Sequence, residues 1–407
     1  MSMGEWKEYR ISEIASVKSG KRLPKGHSLV NEKTDYRYIK GRDIRGGKVN
    51  DIGLQYLLPD TKAKIKKYIV NKRDVLITIV ANVGDVGIVP DGLDGTNLTE
   101  NAVRLTNFTD DVWPEFLTYL LATSEYKKYM ESLAVGAAQS KLAIYKIKKI
   151  KVSLPSLPEQ RRIASLLSSY DDLIETNNRR IALLEESARE LYKEWFVRFR
   201  FPGYQHSKFV KGLPVGWEEV PFRSRIDVLS GGTPSTTKEE YYANGQIPFY
   251  TPKDAPANIY CIDTLAMITE AGLAHCNSAL FPKGTVIVTA RGTVGKLAIL
   301  QRPMAMNQSC FALQWNDGTT SSFLFFEVER IVEVLKKAAN GGVFDAINLN
   351  TFKMLSLQMA PSSILKEFEA RVSPYMSALE TLIVQNAELA AARDRLLPRL
   401  ISGKIRV

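Results

Sequence analysis

Two stretches of the chain space their apolar residues in alternating steps of four and three. The first runs Ile163, Leu167, Tyr170, Ile174, Asn177, Ile181, Leu184, Ala188, Leu191, Trp195, and the second Val372, Met376, Leu379, Ile383, Asn386, Ala390, Arg393, Leu397, Leu400. That spacing is the seam of a coiled coil. A helix from Glu159 to Phe199 would be roughly 60 Å long at about 1.5 Å per residue, more than a compact domain needs. Its seam therefore requires a partner, and the other stretch is the natural one. Two equivalent halves in one chain pair such helices most simply in antiparallel fashion about a pseudo-twofold axis. Asn177 and Asn386 occupy matching seam positions, where a lone polar residue costs stability but fixes register. They are expected to meet near the crossing of that axis, with Ile174 and Ile383 packing beside them.

Outside these helices the pattern changes to short β-branched runs, Tyr68 to Val80, Gly284 to Thr289 and Val294 to Leu300, punctuated by Gly, Asn and Pro turns. These predict strands in a mixed domain. A helix follows near Trp113 to Leu133 and again near Ser322 to Ala339.

The two halves also match each other at a constant offset of about 211 residues, the mark of an internal repeat. TIVANVGDVGIV at Thr78 to Val89 faces TARGTVGKLAIL at Thr289 to Leu300, Trp6 faces Trp217, and Ser19-Gly20 faces Ser230-Gly231. The predicted class is α+β: two repeated mixed α/β domains, residues 1–153 and 210–360, separated by two long antiparallel coiled-coil helices in 154–209 and 361–407.

The second of those strings looks at first like a phosphate-binding loop. Such a loop needs glycine, four residues, Gly-Lys and then Ser or Thr. Ala290 and Leu297 stand at the two ends instead, so both fail. A methyltransferase would need a glycine-rich cofactor loop and an Asn-Pro-Pro-aromatic site, and neither string occurs. Pro59-Asp60 with Lys62 lacks the second acid of a nuclease site, and His27, His206 and His275 are isolated. Cys261, Cys276 and Cys310 fit neither a zinc site nor a disulfide framework, which predicts a reducing compartment. The longest apolar stretch, Val75 to Val89, is broken by Asn82 and Asp85 and is too short for a spanning helix. A soluble cytoplasmic protein without a metal or catalytic site of its own is expected.

Composition adds a partner. Across 407 residues, 45% hydrophobic, the formal charge is +11, and the pI is near 9.3. A basic balance of this kind favours a polyanion such as nucleic acid. Residues 1–153 hold 26 Lys and Arg against 18 acids, whereas 210–360 hold 13 of each, so a phosphate-facing surface is easier to assign in the first half.

Several strings then resemble one family. LPSLPEQRRIASLLSSYDDLIE at Leu154 to Glu175, LYKEWFVRFRFPGY at Leu191 to Tyr204, GLPVGWEEVPF at Gly212 to Phe222 and LLPRLISGKI at Leu396 to Ile405 are similar, in order, to the specificity subunits of type I restriction-modification enzymes. The resemblance implies two target recognition domains, each reading one half of a bipartite asymmetric site in double-stranded DNA. It implies paired helices that set the gap and recruit two modification (methyltransferase) subunits, and through them the ATP-driven restriction subunits. S-adenosylmethionine, ATP and Mg2+ would belong to those partners. A stand-alone coiled-coil DNA-binding regulator is the alternative, and a degenerate enzyme with a duplicated scaffold a third.

Equivalent domains should present equivalent loops to a duplex, and base reading needs Arg, Lys, Asn, Gln, Ser or Thr at groove edges. Four loop pairs supply them. Ser19, Lys21 and Arg22 match Ser230 and Thr233; Lys40 and Arg42 match Thr251 and Lys253; Asn82 matches Thr293, with Arg291 standing where the first half has Val80; Gln139 and Lys141 match Asn348 and Asn350.

Overall fold

The computed structural model describes residues 6–135, 140–318, 321–338 and 347–405. It divides into two units: Met1–Asp172 with Ala390–Val407, and Leu173–Leu389.

In the first unit a six-stranded sheet runs in the order Ser16–Ser19, Ala102–Thr106, Val75–Thr78, Val86–Ile88, Gly47–Val49, Ile44–Arg45. A three-stranded sheet places Arg37–Ile39 between Gln55–Tyr56 and Asn97–Leu98, and Lys7–Arg10 pairs antiparallel with Lys151–Leu154. The second unit repeats this plan. Its larger sheet is Ile226–Ser230, Cys310–Trp315, Val286–Thr289, Leu297–Leu300, Tyr260–Cys261. Ile247–Tyr250 takes the centre of the three-stranded sheet, and Glu218–Pro221 pairs with Ser356–Met359. Even the minority parallel pairing recurs, Tyr38 opposite Asn97 and Phe249 opposite Ala305.

The long helices are Leu157–Tyr192 and Ser362–Ile401. All the predicted seam positions are buried or half-buried. In the second unit Asn177 meets Asn386 while Tyr192 lies 6.3 Å from Phe368, so the helices run antiparallel there. In the first unit Asp171 pairs with Arg393, and Ile163, Ala164 and Leu167 share a core with Leu400 and Ile401, again antiparallel. Ile383 is buried and Ile174 half-buried, both beside the asparagines on their own helices. The first helix ends in a wide π turn, Lys193–Val197, that seats Trp195 and Phe196 in an aromatic core with Trp217 and Phe368. Trp6, the repeat partner of Trp217, packs 6.2 Å from Phe116 and over Gly403, where a Cβ would stand 3.1 Å from its indole nitrogen.

Each unit also ties its domain to a long helix by the same device. Gln160, fully buried, accepts from Trp113 N at 2.9 Å, next to the start of helix Pro114–Leu121, and its amide donates to Asp111 O at 2.8 Å and Pro155 O at 2.9 Å. Glu369 accepts from Phe323 N at 2.8 Å and Ser322 N at 3.3 Å, at the start of helix Ser322–Ala338. Both satisfy donors that a helix N-terminus leaves unpaired. Asp171, Glu185 and Tyr192, each one residue past a seam position, carry further ties. Tyr119 donates to Asp171 at 2.5 Å, Ile259 N to Glu185 at 2.9 Å, and Tyr192 to Glu327.

Three sequence expectations need correction. The helix expected over Trp113 to Leu133 is two helices, Pro114–Leu121 and Ser124–Leu133, because Thr123 leaves helical geometry and its hydroxyl accepts from Tyr126 N at 3.4 Å. The strand expected from Tyr68 is confined to Val75–Thr78, since Asn71 to Asp74 form a turn with Arg73 at φ 64°. The long helix leaves α geometry after Tyr192 rather than at Phe199, which itself sits at φ 55°.

Candidate nucleic-acid interface

The two strings that revealed the repeat form strand, turn and strand in both units, and one threonine pins each turn. Thr78 is 1% exposed and Thr289 fully buried. The Thr78 hydroxyl donates to Asn82 O and accepts from Asp85 N at 2.9 Å, while Gly84 N donates to Thr78 O at 3.0 Å. The Thr289 hydroxyl donates to Thr293 O and accepts from Lys296 N at 2.9 Å, while Gly295 N donates to Thr289 O at 2.8 Å. Gly84 and Gly295 take φ 82° and 71°, which L side chains avoid. Between these anchors Ala81 and Asn82 in one unit, and Arg291 to Thr293 in the other, are exposed.

Two neighbouring segments are sewn to the residue that follows the threonine. Ile79 N donates to Asn101 O at 2.8 Å and Leu142 N to Ile79 O at 2.9 Å. In the second unit Ala290 N donates to Ser309 O at 2.7 Å and Ile347 N to Ala290 O at 3.1 Å. The loop of Lys40 and Arg42 lies alongside, as Gly41 stands next to Thr78 Cγ2, and the loop of Thr251 lies where Thr293 Oγ1 donates to Pro252 O at 3.4 Å. Both of these loops are closed by one bond, Lys40 N to Asp43 Oδ2 and Thr251 N to Asp254 Oδ2, each 2.8 Å.

The remaining loop joins through a close backbone approach. A Cβ on Gly20 would lie 2.0 Å from Thr99 O, and one on Gly231 2.3 Å from Met306 O, so only glycine fits. Thr99 N reaches Ile39 O at 3.0 Å, and Asn307 N reaches Tyr250 O at 3.0 Å. In each unit, then, a single frame carries four loops, built on strands and turns of the same register. The connecting segments Thr99 to Asn101 and Asn307 to Ser309 were not among the residues singled out from sequence. The alignment of Asn101 with Ser309 at the start of NAVRL and SCFAL was the available signal.

The predicted residues differ in availability. Ser19, Lys21, Asn82, Lys141, Ser230, Lys253, Arg291, Thr293 and Asn350 are exposed. Arg22 is exposed but pairs with Glu100 at 2.9 Å, Arg42 lies 3.7 Å from Asp43, Lys40 donates to Gln55, and Thr233 donates to Gln308. Thr251 Oγ1 is held by Asp254 at 2.6 Å. Asn348 accepts from Asn350 N at 2.9 Å and Thr351 N at 3.0 Å, so its side-chain oxygen caps a short helix. Gln139 lies outside the described residues. Burial and the neighbouring Arg42 charge lower the Lys40 pKa, while Asp43 opposes them. Burial would raise the Glu100 carboxyl, but hydrogen bonds from Arg22 and Thr99 hold it below the usual range.

The turns differ in chemistry as well as sharing a frame. In the first unit Asp85 is buried against Lys127 at 2.6 Å. Its counterpart Lys296 is exposed. The two units thus share the scaffold of the turn and differ in the residues at its tip.

The chain belongs to the family of type I restriction-modification DNA specificity subunits: the model described as type I restriction modification DNA specificity domain matches residues 3–186 and 214–388. Among curated relatives, the type I restriction enzyme MjaIX specificity subunit of Methanocaldococcus jannaschii is 26% identical over 346 residues, 83% of this chain and 78% of that protein. The HindI specificity subunit of Haemophilus influenzae is 21% identical across 99% of this chain and 100% of its own length. The crystal structure of a type I restriction-modification system S subunit from M. genitalium shares the fold, with a TM-score of 0.61 at 17% identity, covering 97% of this chain and 96% of that one. No helix among the described residues is long and apolar enough to cross a membrane.

Proposed function

We propose that each unit reads one half of a bipartite, asymmetric DNA site through its four-loop frame, and that the long helices recruit two modification subunits. The carrying observation is the pair of threonine-pinned turns: one scaffold made twice, with Ala81 and Asn82 at one tip and Arg291 to Thr293 at the other. The chain itself contributes recognition and no bond-making chemistry. S-adenosylmethionine sits on the modification subunits, ATP and Mg2+ on the restriction subunits, and the assembly works on DNA in the cytoplasm.

Exchange of residues 1–153 for the corresponding domain of another family member tests the reading. The methylated motif of the complex should change in one half-site and keep the other. A change in both halves, or methylation or cleavage by the purified chain alone, contradicts it.

A further inference from the structure

Of the three arginines on the candidate loops, two have an acidic neighbour. Arg22 is bound to Glu100 and Arg42 stands 3.7 Å from Asp43. Arg291 is exposed, and among the described residues its guanidinium has no partner. Its backbone, by contrast, is tightly held. Ala290 before it is hydrogen-bonded on both sides, to Ser309 O at 2.7 Å and from Ile347 N at 3.1 Å. Thr293 O after it accepts from the buried Thr289 hydroxyl, and Gly292 turns the chain at φ 78°. A free planar fork is thus delivered from a fixed point on a surface of a DNA-specificity subunit. Such a fork matches the O6 and N7 acceptors of guanine in the major groove, the pairing for which arginine is best suited. The first unit has no counterpart: at the equivalent place Val80 is half-buried and bridged to Lys141.

Resting on the two-half-site reading, we infer that Arg291 reads a guanine in the half-site of the second unit, and that the first unit does not use this contact. The two halves are therefore discriminated by different chemistry at the same point of the frame.

The test maps methylation by the assembled complex on a randomised DNA library for the unaltered chain, Arg291→Ala and Arg291→Gln. The unaltered chain should require guanine at one position of one half-site. Arg291→Ala should relax that position alone, by roughly 5- to 150-fold in discrimination, and Arg291→Gln should move its preference toward adenine. The other half-site is the internal control for folding and should not change. Three results would overturn the inference: a second half-site without an invariant guanine, equal weakening on all sequences with a smaller salt dependence, or loss of specificity in both halves. If the unaltered complex methylates no bipartite motif, the broader reading fails as well, which separates the two failures.

Discussion

The Asn177 side-chain amide donates to Asn386 Oδ1 at 3.0 Å, and the Asn386 amide donates in turn to Asn178 Oδ1 at 2.9 Å. Asn177 is only 7% exposed, so its amide depends on that partner. Asn386→Leu alone should cost about 1–3 kcal/mol, because it strands a buried polar group. Replacing both Asn177 and Asn386 by Leu should instead stabilise the chain by about 1 kcal/mol, since a polar seam residue trades stability for register. Urea denaturation of the single and double variants measures both signs. Losses of Asn177→Leu and Asn386→Leu that simply add in the double variant would show that the pair is not coupled.

Gln160 and Glu369 hold equivalent helix starts with different chemistry, amide in one unit and carboxyl in the other. Gln160→Leu removes three hydrogen bonds at a fully buried position and should destabilise the first unit by about 2–4 kcal/mol. Burial raises the Glu369 pKa above its ordinary 4.5, the Phe323 and Ser322 amides opposing. The folded state then keeps a proton that the unfolded chain has released, so stability falls as pH rises from about 4.5 through the raised value. Glu369→Gln should flatten that fall, read as the midpoint of urea unfolding against pH. An unchanged pH profile would remove Glu369 as its source.

How far these features could be read from sequence depends on whether they are periodic. The seam residues, the repeat and the antiparallel pairing of Asn177 with Asn386 follow from spacing within one chain, which side-chain direction on a helix converts directly into contact. The turn at Thr289 to Lys296 was legible because its copy exists at Thr78 to Asp85. Gln160 and Glu369 were not, since each contacts a helix start about 47 residues away, and nothing local marks a long-range cap. Asn348 shows the opposite limit. A polar residue in a candidate loop is expected to be free for DNA, but its oxygen is used by the amides of Asn350 and Thr351, a local competition common for Asn.

In the proposed reading, Thr289 contributes to recognition only through the turn it holds. Thr289→Val keeps the volume and deletes the hydroxyl that meets Thr293 O and Lys296 N, a loss of about 1–3 kcal/mol. Amide exchange at Lys296 should accelerate, and discrimination in the second half-site should broaden while the first half-site is kept. Thr78→Val should produce the mirror result, broadening the first half-site only. Broadening of both half-sites by either variant would mean that the threonine supports the fold and not one reading turn.

The uneven charge of the two domains, 26 basic against 18 acidic residues in 1–153 and 13 of each in 210–360, predicts where salt dependence resides. Lys21 and Lys141 are exposed on loops of the first frame, and Lys253 on the second. A lysine that neutralises a phosphate releases condensed counterions, so its loss lowers the slope of log K against log salt by about 0.9. Lys21→Ala with Lys141→Ala should therefore reduce that slope by about 1.8 while leaving the methylated motif intact, because phosphate contacts position the protein without reading bases. Lys253→Ala should change it by at most about 0.9. Binding to the cognate duplex across a salt series gives the slopes. A changed motif in the double variant would assign these lysines to base edges instead, and an unchanged slope would place the phosphate-facing surface elsewhere on the domain.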